Sequence, residues 1–438
     1  MNARRAFCAL LCLSALSLAG CDSGNGIGAA AGPPQIRVIN LLSGAPAITV
    51  TLDNDSTLVS GLPFEGVTQY MQVDQGVRVF TVSIPGGPST LITVTNPVFL
   101  GVNYTFTIYG DVEAAQSRLI VDTVTLFPSS GTFDLRALNV ATGTPAVDIY
   151  LTVPGADISL TAPVIQNSTY NTLGAFGTVS MTGPFELRIT PANTKDVVFD
   201  ALDVDIPDSG LTQIIVFSTG SSRLVRAAVL NNDSTGTGQV YDSLISEFKF
   251  INASSAGSPL NVFVDGVLTL ANVPYAGVSS YQVTAAGTRN ITVQSTSTPG
   301  ADLLTIVTSF EPASDSSIVA SGPAGDLRGL VLSDDNSPPA SGRARIRFVN
   351  ASPDLAAMDV YVNFVRQFGG VASNTASPYT ELVADATGMT AYEFDFNVAG
   401  TSTPVLQLPG VTITTGKTYS VYVVGSVGAL QGVVVADD

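Results

Sequence analysis

Few side chains in this chain could carry chemistry. It has no histidine, which excludes a Ser-His-Asp triad, a histidine general base and an imidazole metal site. Its three cysteines are Cys8, Cys12 and Cys21, all near the N-terminus. No phosphate-binding glycine loop and no nucleophile-elbow motif occurs in the sequence. We therefore expect no enzymatic activity and no cofactor.

Carboxylates are the remaining groups that could act as an acid–base pair, as they do in glycoside hydrolysis. Four of them lie close together in sequence near the end of the chain and break the repeat described below: Glu381, Asp385, Glu393 and Asp395. No motif surrounds them, so we assign no catalytic residue.

Two acids recur at equivalent positions instead. Asp148 and Asp359 each begin a strand-like run, and a basic residue, Arg136 or Arg347, precedes each of them. We expect each acid to form a cross-strand ion pair or a hydrogen bond within a turn. Thr49 occupies the same position in another copy, so an acid there is not essential to the fold.

Acidic loops offer the oxygen ligands that calcium prefers. They are Asp53-Asn54-Asp55, Asn231-Asn232-Asp233 and Asp334-Asp335-Asn336. None has the spacing of an EF-hand, and such residues are common in solvated turns. We interpret them as solvated turn residues and assign no metal site.

The N-terminus predicts export. Arg4 and Arg5 precede an apolar stretch, Ala6 to Leu18, and small residues then lead to Cys21. Leu18-Ala19-Gly20-Cys21 resembles the lipobox of bacterial lipoproteins. That resemblance implies a cleaved signal peptide at 1–20 and lipid attachment at Cys21, which would anchor the protein in a membrane. Residues 21–35 would then be the lipidated cysteine and a flexible Gly/Ala/Pro tether.

Composition narrows the fold and the partners. The 35 acidic residues outnumber the 18 basic ones, for a net charge of −17, and no basic patch with interleaved aromatics occurs. Nucleic-acid binding is therefore not expected. Apolar runs are dominated by Val, Ile, Thr, Tyr and Phe, which favours strands over helices.

Four copies of one unit follow the tether at intervals of about 100 residues, a period suited to a β-sandwich of short strands. They begin RVIN (37–40), RALN (136–139), KFIN (249–252) and RFVN (347–350), and a strand-like run starts nine positions after each asparagine. We predict an all-β chain of four tandem immunoglobulin-like, Greek-key β-sandwich domains at 36–127, 134–233, 246–334 and 344–438. Each asparagine is expected to bond the backbone of the turn after its strand.

The run Arg347-Phe-Val-Asn-Ala-Ser-Pro353 with Asp359-Val-Tyr-Val362 resembles a bacterial domain of unknown function that occurs in tandem in lipoproteins and cell-surface proteins. The resemblance implies a β-sandwich in the cell envelope and assigns no activity.

We expect a lipid-anchored, non-enzymatic spacer, adhesion or protein-binding module. The alternatives are an envelope polysaccharide-binding or glycan-cleaving module, or a scaffold subunit of an envelope complex. The expected location is the bacterial cell envelope, on the periplasmic side of either membrane or at the cell surface. The expected partners are the membrane and an unidentified envelope protein or polysaccharide.

Overall fold

The computed structural model describes residues 32–437, apart from 46, 55, 86–89, 123–126, 143, 145, 219–222, 234–235, 256–258, 338, 341 and 385–389. Cys21, the predicted signal peptide and most of the predicted tether lie outside these residues. In the described part of the chain the only helical element is a 3-10 turn at Val112–Ala114.

The described residues form 34 strands, in line with their β-branched and aromatic composition. The first copy contains β1 (Gln35–Ser43), β2 (Ala47–Leu52), β3 (Ser56–Pro63), β4 (Met71–Gln72), β5 (Gly76–Ser83), β6 (Ile92–Val98), β7 (Asn103–Asp111) and β8 (Gln116–Val121). The second contains β9 (Phe133–Asn139), β10 (Val147–Thr152), β11 (Ile165–Ser168), β12 (Gly177–Val179), β13 (Phe185–Pro191), β14 (Phe199–Val204), β15 (Leu211–Ser218), β16 (Val225–Asn231) and β17 (Gly238–Tyr241).

The third copy contains β18 (Ile245–Ser254), β19 (Leu260–Val264), β20 (Val267–Val273), β21 (Gln282–Ala285), β22 (Gly287–Ser295), β23 (Asp302–Phe310), β24 (Asp315–Gly322) and β25 (Arg328–Asp334). The fourth contains β26 (Arg343–Asn350), β27 (Ala357–Val362), β28 (Val365–Ala372), β29 (Thr375–Ala376), β30 (Thr380–Val383), β31 (Thr390–Val398), β32 (Pro404–Ile413), β33 (Thr418–Val424) and β34 (Gln431–Ala436).

Each copy is a sandwich of two sheets. In the first copy one sheet has the order β4-β1-β7-β8 and the other β3-β2-β5-β6. The other copies repeat this arrangement, with β17 as a fifth strand in the second copy and β30 beside β26 in the fourth. The first strand of each copy pairs in parallel with the strand that begins about 70 residues later, and the other pairings are antiparallel. The prediction of an all-β chain with tandem sandwiches is confirmed.

Each sandwich has its own aromatic and aliphatic core between its two sheets. In the first copy the rings of Phe80 and Phe106 lie 4.6 Å apart, and in the fourth Phe348 contacts Phe394 at 5.3 Å. These rings come from alternating positions of facing strands, as period-two side-chain placement requires.

The sheet that contains the first strand of each copy has central strands that are buried on both faces. We call it the inner sheet and the other the outer sheet. The inner sheets of the first and second copies pack together, and so do those of the third and fourth. We call these two units the first pair and the second pair. Phe64 of the first copy, for example, meets Phe217 of the second edge to face at 6.2 Å.

In three copies a glycine recurs at or next to the end of the strand that pairs in parallel with the first strand, and the reason is steric. Gly110, Gly322 and Gly425 all have positive φ, of 93°, 101° and 91°. A Cβ at each would lie 2.5 to 2.9 Å from the carbonyl oxygen four residues later, so only glycine fits this turn.

Candidate functional site

The recurring asparagines have the structural role expected from the sequence. Asn40, Asn139, Asn252 and Asn350 are fully buried. Asn139 and Asn350 end their strands, whereas Asn40 and Asn252 lie two to three residues before the ends of β1 and β18. In every copy the side-chain oxygen accepts the N–H two residues later, at 3.0 to 3.3 Å. The amide nitrogen donates to a backbone carbonyl across the sandwich. These side chains hold the first loop of each copy and are not exposed to a ligand.

The recurring acids form turn hydrogen bonds, which was one of the two expectations. Asp148 accepts the backbone N–H groups of Asn167 and Asn193, at 2.7 and 2.9 Å. Asp359 accepts those of Gly370 and Gly400, at 2.8 and 3.0 Å. Asp359 also forms a cross-strand ion pair, with Arg366 at 2.8 Å, so the other expectation holds for this acid. Neither acid pairs with Arg136 or Arg347, whose partners lie elsewhere.

The basic residues that open the copies meet at the centre of each pair. In the first pair, Arg37 of the first copy and Arg136 of the second share Asp122, with N–O distances of 3.4 Å. Arg37 also donates to Asn232 of the second copy at 2.6 Å. Asp122 accepts further hydrogen bonds from Tyr70 and from the Thr105 hydroxyl. We call Arg37, Asp122, Arg136 and Asn232 the first-pair cluster.

The second pair repeats this arrangement with different charges. Lys249 of the third copy contacts Asp437 of the fourth, and its Nζ lies 3.5 Å from Asp334. Arg347 of the fourth copy also contacts Asp334. Asp334 accepts the Tyr281 hydroxyl at 2.5 Å and the Ser317 hydroxyl at 2.8 Å. We call Lys249, Asp334, Arg347 and Asp437 the second-pair cluster.

Burial and ring packing define the electrostatics of both clusters. Burial raises the pKa of Asp122 and of Asp437, against the lowering effect of the neighbouring cations. Burial also lowers the pKa of Arg136. An aromatic ring covers every cation, and the rings are Tyr70, Phe176, Tyr281 and Tyr379. In the second copy the ring belongs to a phenylalanine, Phe176, whereas the other three copies use a tyrosine.

The acidic loops have different roles from those expected. The interpretation as solvated turn residues is wrong for Asn231, Asp334 and Asn336, which are buried at the interfaces. Asp53 remains in an exposed turn, where it pairs with Arg78 at 2.7 Å. Within the described ranges no group of three or more His, Cys, Asp or Glu side chains is placed to hold a metal.

The four acids considered as catalytic candidates do not form one site. Glu381 lies on β30 beside Arg343 and Arg345, with N–O distances of 3.9 Å. Glu393 and Asp395 lie on β31 in the outer sheet of the same copy. Asp385 lies outside the described residues.

Comparison with known proteins identifies the repeated unit. The family model for a domain of unknown function (DUF4397) matches residues 34–150, 246–361 and 344–438. The chain belongs to the DUF4397 family. The matched regions cover most of the chain. Most of the second copy lies between the matches, and its strands have the same sheet order as those of the other copies.

Other comparisons add little. A search of curated proteins found no match. Among solved structures, the Bacillus anthracis TIE protein is similar at 9% identity and a TM-score of 0.15, over 89% of this chain and 68% of that one. Such a weak similarity carries no argument about fold or function.

A cleft in the first copy lies between the β2–β3 hairpin and β4, with a volume of about 580 Å³. Its walls combine hydroxyl, amide, carboxylate and guanidinium groups from Ser56, Thr57, Gln72, Asp74 and Arg78 with Leu58 and Met71. The Asp53–Arg78 pair on its wall recurs in the third copy as Asp265–Arg289, so it belongs to the hairpin itself.

None of the described helical segments has the length and hydropathy to cross a membrane.

Proposed function

We propose that this DUF4397 protein is a lipid-anchored, non-enzymatic module of the bacterial cell envelope that acts as a spacer, adhesion or protein-binding unit. The observation that carries the proposal is the pairing of its copies. The central strands of the inner sheets are buried on both faces, and the basic residues of the repeat are used inside these interfaces. The basic residue that opens each copy thus supports the pairing of the copies.

The arrangement also determines which surfaces remain for a partner. The outer sheets of the first, third and fourth copies and their hairpins contribute much of the accessible surface. In the second copy the central outer strands β10 and β13 are themselves buried. The β19–β20 and β27–β28 hairpins carry exposed apolar side chains at equivalent places, with Val267 at 68%, Phe364 at 73% and Val365 at 61% exposure. Exposed apolar residues at loop tips are suited to contact with another protein.

The anchoring part of the proposal rests on the lipobox resemblance at Cys21. A tether from the lipidated cysteine to Pro33 would leave the paired copies free of the headgroups. The test is membrane fractionation of the full chain beside a Cys21→Ser variant. We expect the native chain in the membrane fraction and the variant in the soluble fraction, and equal membrane association of both would overturn this part.

The partner is tested by cross-linking in whole cells, again with Cys21→Ser as the matched control. An envelope protein captured by the anchored chain and lost from the variant supports the binding function. A partner recovered in fixed stoichiometry favours the scaffold alternative. Failure to capture any envelope component contradicts the protein-binding role and leaves the spacer role.

A second candidate, polysaccharide binding, is favoured by the cleft in the first copy. Its mixture of hydroxyl, carboxylate and guanidinium groups suits the hydroxyls of a sugar. We expect a glycan array to detect binding that is reduced at least tenfold by Arg78→Gln. Arg289→Gln, which alters the equivalent pair in the third copy, is the control. Absence of binding on the array rejects this candidate.

A further inference from the structure

Lys249 and Asp437 place an amine and a carboxyl group in direct contact inside the second pair. Their side chains are 3% and 0% exposed. Lys249 lies on the first strand of the third copy, and Asp437 follows the last strand of the fourth. Asp334, a second buried carboxyl group, lies 3.5 Å from Nζ of the same lysine.

This combination breaks the symmetry between the two pairs. The residues at the equivalent positions in the first pair are Arg37 and Asn232, which are joined by a 2.6 Å hydrogen bond. A guanidinium group is charged at all accessible pH values and is not a nucleophile, whereas a lysine amine is a nucleophile once its proton has passed to a neighbouring carboxylate. The second pair therefore holds both reactants of an amide condensation.

We propose that Lys249 and Asp437 condense into an intramolecular amide bond that links the third and fourth copies covalently. The bond would join Nζ of the lysine to Cγ of the aspartate, and one water molecule would leave. The protein would thus modify itself, once per chain. This proposal does not depend on the function proposed above.

The atoms for this step are all present. A proton passes from the Nζ ammonium to Asp437, which gives a neutral amine and a carboxylic acid. Nζ then attacks Cγ, Asp334 takes a second proton from the nitrogen, and the same proton is returned to the departing hydroxyl. The C–O bond breaks, water leaves, and Asp334 ends in its initial state. No oxidant, reductant or further reactant is needed.

The surroundings support each part of the step. The Ser420 hydroxyl donates to Oδ2 of Asp437 at 2.6 Å, so it holds the carboxyl group and polarises it for attack. The Tyr281 hydroxyl, 3.1 Å from Nζ and 2.5 Å from Asp334, fixes the lysine beside its proton acceptor. Apolar side chains such as Ile251, Val319 and Tyr422 keep water from the product.

The charge balance explains why the neutral product is favoured. Burial raises the pKa of Asp437, so this carboxyl group is readily protonated. Burial opposes the charge on Lys249, but Asp334 and Asp437 outweigh it and raise the pKa of the amine. Condensation removes one buried positive and one buried negative charge, whose desolvation is costly, and leaves Arg347 paired with Asp334.

The test is peptide mapping of the purified full chain after denaturation and digestion with trypsin. If the bond forms, the lysine is not cleaved, and the peptide 418–438 is recovered joined to 227–289. The joined species is lighter by about 18 Da than the sum of the two peptides, because one water is lost. Recovery of free 418–438 alone from natively folded protein overturns the proposal and leaves an ordinary buried ion pair.

Two variants separate chemistry from folding. Lys249→Arg restores the residue found in the other copies and keeps the positive charge, so we expect a folded protein with no joined peptide. Asp334→Asn keeps both reactants and removes the proton acceptor, and we expect the bond to form at least about 100-fold more slowly. A joined peptide in Lys249→Arg would also overturn the assignment. The first pair serves as an internal control, since Arg37 and Asn232 should remain unlinked in the same digest.

Discussion

Asp122 of the first copy lies 3.4 Å from Arg136 of the second, and the two side chains are only 1% and 9% exposed. Asp122 is equally close to Arg37 of its own copy, so one carboxylate serves two buried cations. In the second pair two carboxylates serve two cations. The first-pair cluster therefore depends on a single acid for its charge balance.

We expect Asp122→Asn to destabilise the first pair by roughly 3–5 kcal/mol, because it leaves both buried arginines without a counter-charge. Hydrogen exchange at the amides of β1 and β9 measures the loss. The control is Asp74→Asn, whose carboxylate is 96% exposed and 3.8 Å from Arg78, and which should change nothing measurable. Equal exchange rates in the two variants would show that the cluster has no role in pairing.

Asn350→Ala should destabilise the fourth copy by about 3 kcal/mol, since it leaves several buried backbone groups without partners. The lost bonds are those to the carbonyls of Leu355 and Val371 and to the N–H of Ser352. Urea unfolding of the two chains measures the difference. Asn290→Ala, at an exposed strand position, is the matched control and should lie within about 0.5 kcal/mol of the native chain. A small effect at Asn350 would contradict its proposed structural role.

The sandwich fold could be predicted because its signals are local. Alternation places Ile346, Phe348 and Asn350 toward one core, and the spacing from asparagine to the second strand repeats in every copy. The side-chain hydrogen bonds of Asn350 follow from its place at a strand end before a turn. Each of these features involves residues that are near each other in sequence or repeated at one period.

Pairing of the copies could not be predicted in the same way. Alternation correctly places Arg347 away from its own core, but the side chain enters the neighbouring copy and is only 3% exposed. One signal was present: β1 and β15 are apolar on both faces, as strands covered on two sides usually are. The partner of such a face is a distant segment, and periodicity contains no information about which one.

Phe217→Ala should weaken the first pair by about 3–5 kcal/mol, because the ring is 1% exposed and packs between two copies. Phe99→Ala is the control, since that ring is 62% exposed and its loss creates no cavity. Differential scanning calorimetry of the two variants and the native chain provides the measurement. We expect a lower transition temperature for the first pair in Phe217→Ala alone, while the second pair melts as before.

Glu247, at the junction of the second and third copies, should make stability depend on pH. Burial raises its pKa to about 7, with a further contribution from Asp315 and an opposing one from Arg223, whose Nη2 is 2.7 Å away. A carboxyl group whose pKa is higher in the folded chain binds its proton more tightly there. It therefore favours folding below its unfolded pKa of about 4.5 and loses this contribution as pH rises to about 7.

The size of the effect follows from the shift and amounts to about 3 kcal/mol between the two limits. Glu247→Gln cannot ionise, so the free energy of unfolding of the native chain should fall relative to this variant as pH rises through that window. Urea unfolding at several pH values measures the difference, and Glu311→Gln, which alters an exposed acid of the third copy, should follow the native curve. If the native and Glu247→Gln curves stay parallel, the pKa of Glu247 is the same in the folded and unfolded chains, and this prediction is wrong.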